Sequence, residues 1–394
     1  MARIAILSAV NIKHMSLISL YTEILKKNGV KYDIIYMDKY NEDEAFECDK
    51  KYRYINVIKQ GYPKFIKKIK YMLFYPYAAH ILNKNKYDFV IVWNDLAIFM
   101  IGGYLSKHYA GKYCLNVRDN MMYDVPKYRK MYERIFKNSA FNTISSKGYL
   151  EVLPRDSTYL QINSLNLLVL EGMQIRDRLR SKDEPIRIGF IGYVRYYERN
   201  KKLLDVFKND PRFELHYYGK NANVLKEYAT DNDIRNTVFH DTFPVSDTGV
   251  FMEKIDIINN LYGNDTFNVR KAISIKFFHA LYAKIPILVN SNTYVGKLAV
   301  STGGGFYFDD ISEQNKESLF SWYHSIDFQA YKSKADEFLN NAKNENMMFE
   351  RVVEEYIIEP TLKSKACLKC LYFTKIISAL CCYLEYFSYL YTVN

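Results

Sequence analysis

The chain has 394 residues, 49% of them hydrophobic. A single ordinary core is therefore excluded, and two domains are expected at roughly 100–200 residues each. Its formal net charge of +11 favours anionic partners: a phosphorylated small molecule, an anionic membrane face or nucleic acid. Of six cysteines only Cys48 and Cys114 precede residue 366, which excludes a disulfide framework for the main body, while 37 Tyr and 24 Phe suit amphipathic surfaces as well as cores.

The opening MARIAILSAV is a short apolar run followed by Lys13 and His14, with no small-residue cleavage site. It reads as a buried strand rather than a signal peptide, and the protein as cytoplasmic. Residues 3–7 predict that strand. Residues 16–27 predict a helix with Leu17, Leu20, Ile24 and Leu25 on one face, stopped by Asn28 and Gly29, and 32–37 predict the next strand. This βαβ rhythm argues for a parallel sheet. An acidic loop (41–50) and a Lys- and Tyr-rich amphipathic stretch (62–82) follow. Then come a strand at 88–93, a helix at 97–110, a strand at 113–117, a charged helix at 125–138, and strands at 141–145 and 158–162.

Residues 171–184 are charged and poor in β-branched side chains, as an interdomain connection would be. The pattern then restarts, with strands at 186–191, 213–218, 237–239, within 254–260 and at 286–290. Helices are expected at 201–207, 224–232, 273–283, 312–326 and 328–356. The expected fold class is α/β, two doubly wound Rossmann-like domains facing each other across a cleft. The expected division is 1–170, a linker at 171–185, a second domain at 186–345, and C-terminal helices at 346–394 that cross back or contact a membrane.

In such sheets ligands bind beyond the carboxyl ends of the strands. The loop at 192–202 has Gly192 where backbone can approach a ligand, and Arg195, Arg199, Lys201 and Lys202 to offset phosphate charge at a helix N-terminus. A solvated basic turn is the plainer reading, since the dinucleotide glycine fingerprint is missing. His14, Asp95 and Asp119 end predicted strands of the first domain. They are candidates to take a proton from, or position, a second substrate. Asp231-Asn-Asp233 follows a helix and reads as a polar turn rather than a metal-diphosphate site. No His/Cys spacing in the main body suits zinc, so neither metal nor cofactor is expected.

Several segments, in order, resemble glycosyltransferase family 4. Phe190-Ile-Gly-Tyr-Val-Arg-Tyr-Tyr-Glu is similar to its phosphate loop, placing Arg195 on the family Arg. Leu215 to Lys220 resembles the next strand and Gly-Lys turn, and Lys254-Ile-Asp256-Ile the step into the donor loop. Ser274-Ile-Lys-Phe-Phe-His-Ala-Leu-Tyr-Ala-Lys-Ile-Pro resembles Pro-Asn-Lys-Leu-Tyr-Glu-Tyr-Leu-Ala-x-Gly-Lys-Pro. Asn116-Val-Arg-Asp119 and Asn142-Thr-Ile-Ser-Ser-Lys-Gly resemble first-domain steps, so the likeness spans most of residues 1–310. It implies a GT-B fold and sugar transfer from a nucleotide-sugar held by the second domain to a lipid-linked or glycan acceptor, as in polysaccharide or capsule synthesis. Arg195 and Lys276 would contact the diphosphate, and the loop Tyr262 to Asn264 would face the sugar or base. The family's ribose-binding Glu falls on His279, its upstream acidic position near Lys271, and its Pro, Asn and Gly on Ser274, Ile275 and Lys284. His279 can still hydrogen-bond a hydroxyl, though not as a fixed anion.

The stretch 62–82 sets Lys64, Lys67, Lys68 and Lys70 beside Phe65, Ile66, Ile69, Met72, Leu73 and Phe74. That combination suits an anionic lipid surface on the inner face of the plasma membrane, or else a solvated helix face. The aromatic tail 366–394 is too interrupted to span a bilayer, and reads as a membrane-contacting or packing helix. Other readings are a sugar-nucleotide epimerase, which would need cleft carboxylates, and a catalytically silent sugar- or membrane-binding relative. Nucleic-acid binding rests on charge alone and is not expected.

Overall fold

The computed structural model describes residues 3–363 except 16 and 60, so the cysteine-containing tail lies outside the described residues. The first-domain strands are β1 (Ile4–Ser8), β2 (Tyr32–Asp38), β3 (Lys51–Ile55), β4 (Phe89–Trp93), β5 (Tyr113–Val117), β6 (Phe141–Ile144) and β7 (Leu160–Gln161). Its helices are α1 (Ser19–Lys27), α2 (Lys64–Met72), α3 (Phe74–Asn85), α4 (Asp95–His108) and α5 (Arg129–Lys137). The second-domain strands are β8 (Ile186–Ile191), β9 (Phe213–Tyr218), β10 (Thr237–His240), β11 (Ile257–Asn259), β12 (Ile287–Val289) and β13 (Gly305–Tyr307). With them run α6 (Tyr197–Val206), α7 (Ala222–Asp231), α8 (Thr248–Met252), α9 (Phe267–Lys271), α10 (Ile275–Ala283), α11 (Tyr294–Ser301), α12 (Glu313–Ser325) and α13 (Phe328–Val353).

Two parallel sheets result, of seven strands in the order β3-β2-β1-β4-β5-β6-β7 and six in the order β10-β9-β8-β11-β12-β13. In each, the order reverses beside the first strand, which opens a crevice at the carboxyl ends. β1, β2, β4, β5 and β6 are buried along their whole length, as strands covered by helices on both faces must be. Successive residues alternate between two cores: Ala5 and Leu7 join one cluster, Ile4 and Ile6 the other.

Several elements depart from the sequence expectation, β13, α8 and α11 among them, which have no predicted counterpart. β3 has no predicted counterpart, because this edge strand reads Lys-Tyr-Arg-Tyr-Ile and buries no residue fully. The stretch 62–82 divides into α2 and α3 at Leu73. α9 occupies a separate turn ahead of α10, and its flanking Phe267 and Ala272 pack against the first domain's core.

Besides direct contacts across the cleft, α13 and the linker tie the halves together. α13 begins against the second core through Tyr331, Ala335 and Leu339 and ends in the first, where Phe349 meets Tyr21 edge-on at 4.8 Å. The linker's tie lies where it meets the second sheet. The wholly buried Asp256 takes Arg187 from β8 and Arg176 and Arg180 from the linker.

Candidate functional site

The floor of the site is a backbone crossing. β8 and β9 end in Gly192 (φ +118°) and Gly219 (φ +132°), a region L side chains rarely adopt. A Cβ on Gly219 would lie 2.1 Å from the Gly192 carbonyl oxygen, so these loops meet only because Gly219 carries no side chain. The loop that follows is held from below. Asn200 donates to the carbonyls of Arg195 and Tyr196, and Asn259, at the end of β11, donates to Asn200. Tyr196 is left at φ +57°, strain that the surrounding hydrogen bonds maintain.

Lys276, in the first turn of α10, is brought to this loop. Its ammonium is buried, has no hydrogen-bond partner, and sits 3.2 Å from the centroid of the Phe190 ring and 5.1 Å from that of Tyr262. Burial, with the positive charge of Arg195 added, pushes its pKa well below the usual lysine value. An unpartnered ammonium over aromatic faces, with the charge of Arg195 added and no carboxylate bonded to it, would gain from an anion.

Alongside lies a cavity of about 330 Å³ lined by Gly192, Tyr193, Lys220, Phe243, Lys276 and His279, among others. His279, also on α10, leaves Nε2 buried and unpartnered. Burial holds its pKa down at about 4, against a hydrogen bond to the main chain of Asn166. A neutral imidazole that donates one ring N–H to that carbonyl presents its other nitrogen as an acceptor, suited to a hydroxyl. The sign of its pH effect follows. A depressed folded pKa contributes stability that is full above the unfolded value near 6.5 and is lost as pH falls through about 4. We expect the ligand-free protein to lose a few kcal/mol over that window relative to His279→Gln. Thermal melts of both proteins from pH 7 to 4 check this, and parallel pH profiles would contradict it.

A second cavity, of about 240 Å³, lies between the domains. It is lined by Asp119 from the end of β5 and by Asn260, Tyr262, Asn268, Ser274 and Asn290 from the other side. Burial raises the Asp119 carboxyl against the pull of Arg118. Its backbone is fixed by Asp95, which accepts from the amides of Arg118 and Asp119 and from the Tyr123 hydroxyl, and whose own pKa burial raises to about 7. Asp95 is thus committed to holding the loop. The cavity is closed by direct ties: the Asn120 amide donates to Asn268, Ser146 donates to the Lys271 carbonyl, and Lys271 pairs with Glu151.

No family model matches the chain, and no curated protein is significantly similar to it. Solved structures do share its architecture. Sucrose-phosphate synthase from Thermosynechococcus elongatus superposes with a TM-score of 0.58 at 12% identity, covering 90% of this chain and 100% of that one. WaaG, a glycosyltransferase involved in lipopolysaccharide biosynthesis, gives 0.57 at 12%, covering 91% and 100%. A UDP-N-acetylglucosamine 2-epimerase gives 0.57 at 12%, covering 90% and 96%.

The chain has the GT-B fold.

Within this GT-B frame, Gly192, Lys276 and His279 share the first cavity, and Asp119 and Tyr262 the second. Lys276, which lines the first cavity, lies 5.1 Å from the ring of Tyr262, which lines the second. Burial pushes the Tyr262 hydroxyl up to about 12. Arg195 is exposed on its loop with its guanidinium over Tyr193. Arg199 lies against Gly263, and Asn264 donates its side-chain amide to the Ser291 carbonyl while its own carbonyl accepts from the Arg270 guanidinium. His14 sits apart, at the end of β1, bonded to the Tyr40 hydroxyl. Asp231 and Asp233 lead into the opposite edge of β10, with Asp233 paired to Arg235. Among the described residues no group of three or more acidic, His or Cys side chains is arranged to hold a metal.

The sequence reading did not single out Asn260 or Asn166. Asn260 Oδ1 is buried without a partner on the cleft. Its signal is the Asn259-Asn260 pair closing an apolar strand. Asn166, which holds His279, carries no local signal.

Proposed function

We propose that the protein is a glycosyltransferase of the hexosyltransferase type. It would move a sugar from a nucleoside diphosphate sugar to a lipid-linked or polysaccharide acceptor without a metal ion. The observation that carries this is the unpartnered Lys276 ammonium, buried on the wall of the first cavity and 5.1 Å from the ring of Tyr262, which lines the second. The nucleoside would fill the cavity beside His279, and the sugar would extend past Tyr262 into the cleft. As the sugar–phosphate bond breaks, charge grows on the leaving diphosphate, and Arg195 and Lys276 offset it in a water-poor site. Asp119 faces the same cleft. It takes the acceptor proton if the transfer inverts, or orients the acceptor hydroxyl if it retains. His14, at the same sheet edge, serves the acceptor side further out.

The test is thermal stabilisation across uridine, guanosine and adenosine diphosphate sugars, followed by transfer to lipid-linked acceptors. One diphosphate sugar should stabilise the protein, and no stabilisation by any of them overturns the reading. The shared architecture with a UDP-N-acetylglucosamine 2-epimerase favours one other outcome. If the donor alone changes configuration at a sugar carbon, followed by NMR without acceptor, epimerisation replaces transfer.

A further inference from the structure

Helices on a folded domain turn their apolar face inward; α2 does the reverse. No residue of α2 is fully buried. Phe65, Ile69 and Met72, spaced four and three apart and so on one face, are 63%, 53% and 59% exposed, and Leu73 beyond them is 50% exposed. A merely solvated helix would expose its lysines and hide these side chains. α3, which follows at once, shows the ordinary arrangement, with Phe74, Ala78, Ile81 and Leu82 in the core. The outward face of α2 is therefore a property of that helix and not of the region.

Charge indicates what would cover it. Lys64 and Lys68 border the apolar face, Lys70 turns inward to Asn56, and no acidic residue occurs between Asp49 and Asp88. The helix is also firmly placed. Asn56, just after β3, donates to the Lys70 carbonyl at 2.6 Å, and Lys39, just after β2, lies over the Tyr71 ring at 4.9 Å. Both anchors are at the carboxyl ends of their strands. Because all strands of the sheet are parallel, this is the edge that also carries Asp119 and the cleft.

We propose that α2 docks the protein on an anionic lipid surface. Phe65, Ile69, Met72 and Leu73 enter the headgroup boundary, and Lys64 and Lys68 meet lipid phosphates. Among the described residues no helix is long and apolar enough to cross a membrane, so this contact is a surface one. Docking does not depend on the transfer reaction. If that reaction holds, docking sets the cleft against the layer that contains a lipid-linked acceptor.

The experiment is flotation of the full chain with vesicles of phosphatidylcholine alone and of phosphatidylcholine with phosphatidylglycerol. Binding is expected only with the anionic lipid and should weaken as salt rises. Lys64→Glu with Lys68→Glu should weaken it roughly fivefold or more per lysine. Phe65→Ser with Ile69→Ser should weaken it at least tenfold. These side chains are exposed, so both variants should keep the parent melting temperature and its nucleotide stabilisation, which separates failure here from failure of the proposed activity. Vesicle binding unchanged in both variants overturns the proposal and assigns lipid contact elsewhere in the chain. So does binding to neutral vesicles alone. Sedimentation showing that the serine variant only converts a dimer to a monomer, without loss of flotation, would make the face a contact between copies instead.

Discussion

Lys276→Met should remove stabilisation by any nucleoside diphosphate sugar and at the same time make the ligand-free protein more stable. Both effects come from one fact: the ammonium is buried with no partner, over Phe190 and facing Arg195. In the empty protein this arrangement costs energy, and the depressed pKa is its sign. A methionine of similar length fills the same volume without charge, for a gain of roughly 1–3 kcal/mol. With a diphosphate present, the lysine is an electrostatic partner in a place water does not reach, and its loss should lower transfer on the order of a hundredfold or more. A linked measurement is available. An anion beside Lys276 raises its pKa, so ligand binding should take up a proton at pH values above the depressed free value. Calorimetry in buffers of different ionisation heat reads this uptake, which should vanish in the variant. A variant that loses stability when empty, or binds the diphosphate sugar as the parent does, would remove Lys276 from the site.

The same residue shows how far the sequence could be read. Its place on a helix between an Asn-rich loop and a buried strand was legible, because Ser274 caps that helix and Pro286 ends the turn that follows. The Lys284 that stands where a glycine was expected adopts φ +58°, so the backbone keeps the turn a glycine would favour while the side chain pairs with Asp336. Strands such as 113–117 and 186–191 are legible to the residue, because their burial leaves mostly apolar runs, each interrupted by one polar side chain, Asn116 and Arg187. β3 was not, because an edge strand has no such run. The apolar and basic character of α2 was visible, but which way its faces turn is set by Asn56 and Lys39, distant from it in the chain. The environments of Lys276 and His279 were not legible for the same reason. Phe190, Tyr262 and Asn166 reach them from other elements, and local sequence carries no record of who the neighbour is.

Asp256→Ala should be the most destabilising single change in the second domain, at about 3–5 kcal/mol. Its carboxylate is wholly buried and meets three guanidinium groups. Arg187 Nε and Nη2 bind it at 2.8 and 3.0 Å, Arg176 at 2.6 Å and Arg180 at 3.3 Å. Removing it leaves three positive groups converging with no anion, and frees the linker that Arg176 and Arg180 pin to the sheet. Arg180→Ala should cost far less. The carboxylate keeps two partners, and Arg180 is also paired with Glu184 in a more exposed place. The pH dependence has a definite sign. Burial alone would raise the Asp256 pKa, but the hydrogen bonds of Arg187 and the charge of Arg176 outweigh it and hold the pKa below the usual carboxylate value. A depressed folded pKa gives stability present above the unfolded value of roughly 4 and lost as pH falls through the folded one. The parent should therefore lose stability steeply below about pH 4, and Asp256→Ala, already without the ion cluster, should lose less there. Urea melts at pH 7 and pH 3.5 check both statements. The loosened linker should also appear as a larger radius of gyration by small-angle scattering, because the two lobes then keep α13 and the cleft contacts but lose the tie at Asp256. A variant as compact and as stable as the parent at pH 7 would show that the cluster is not what joins linker to sheet.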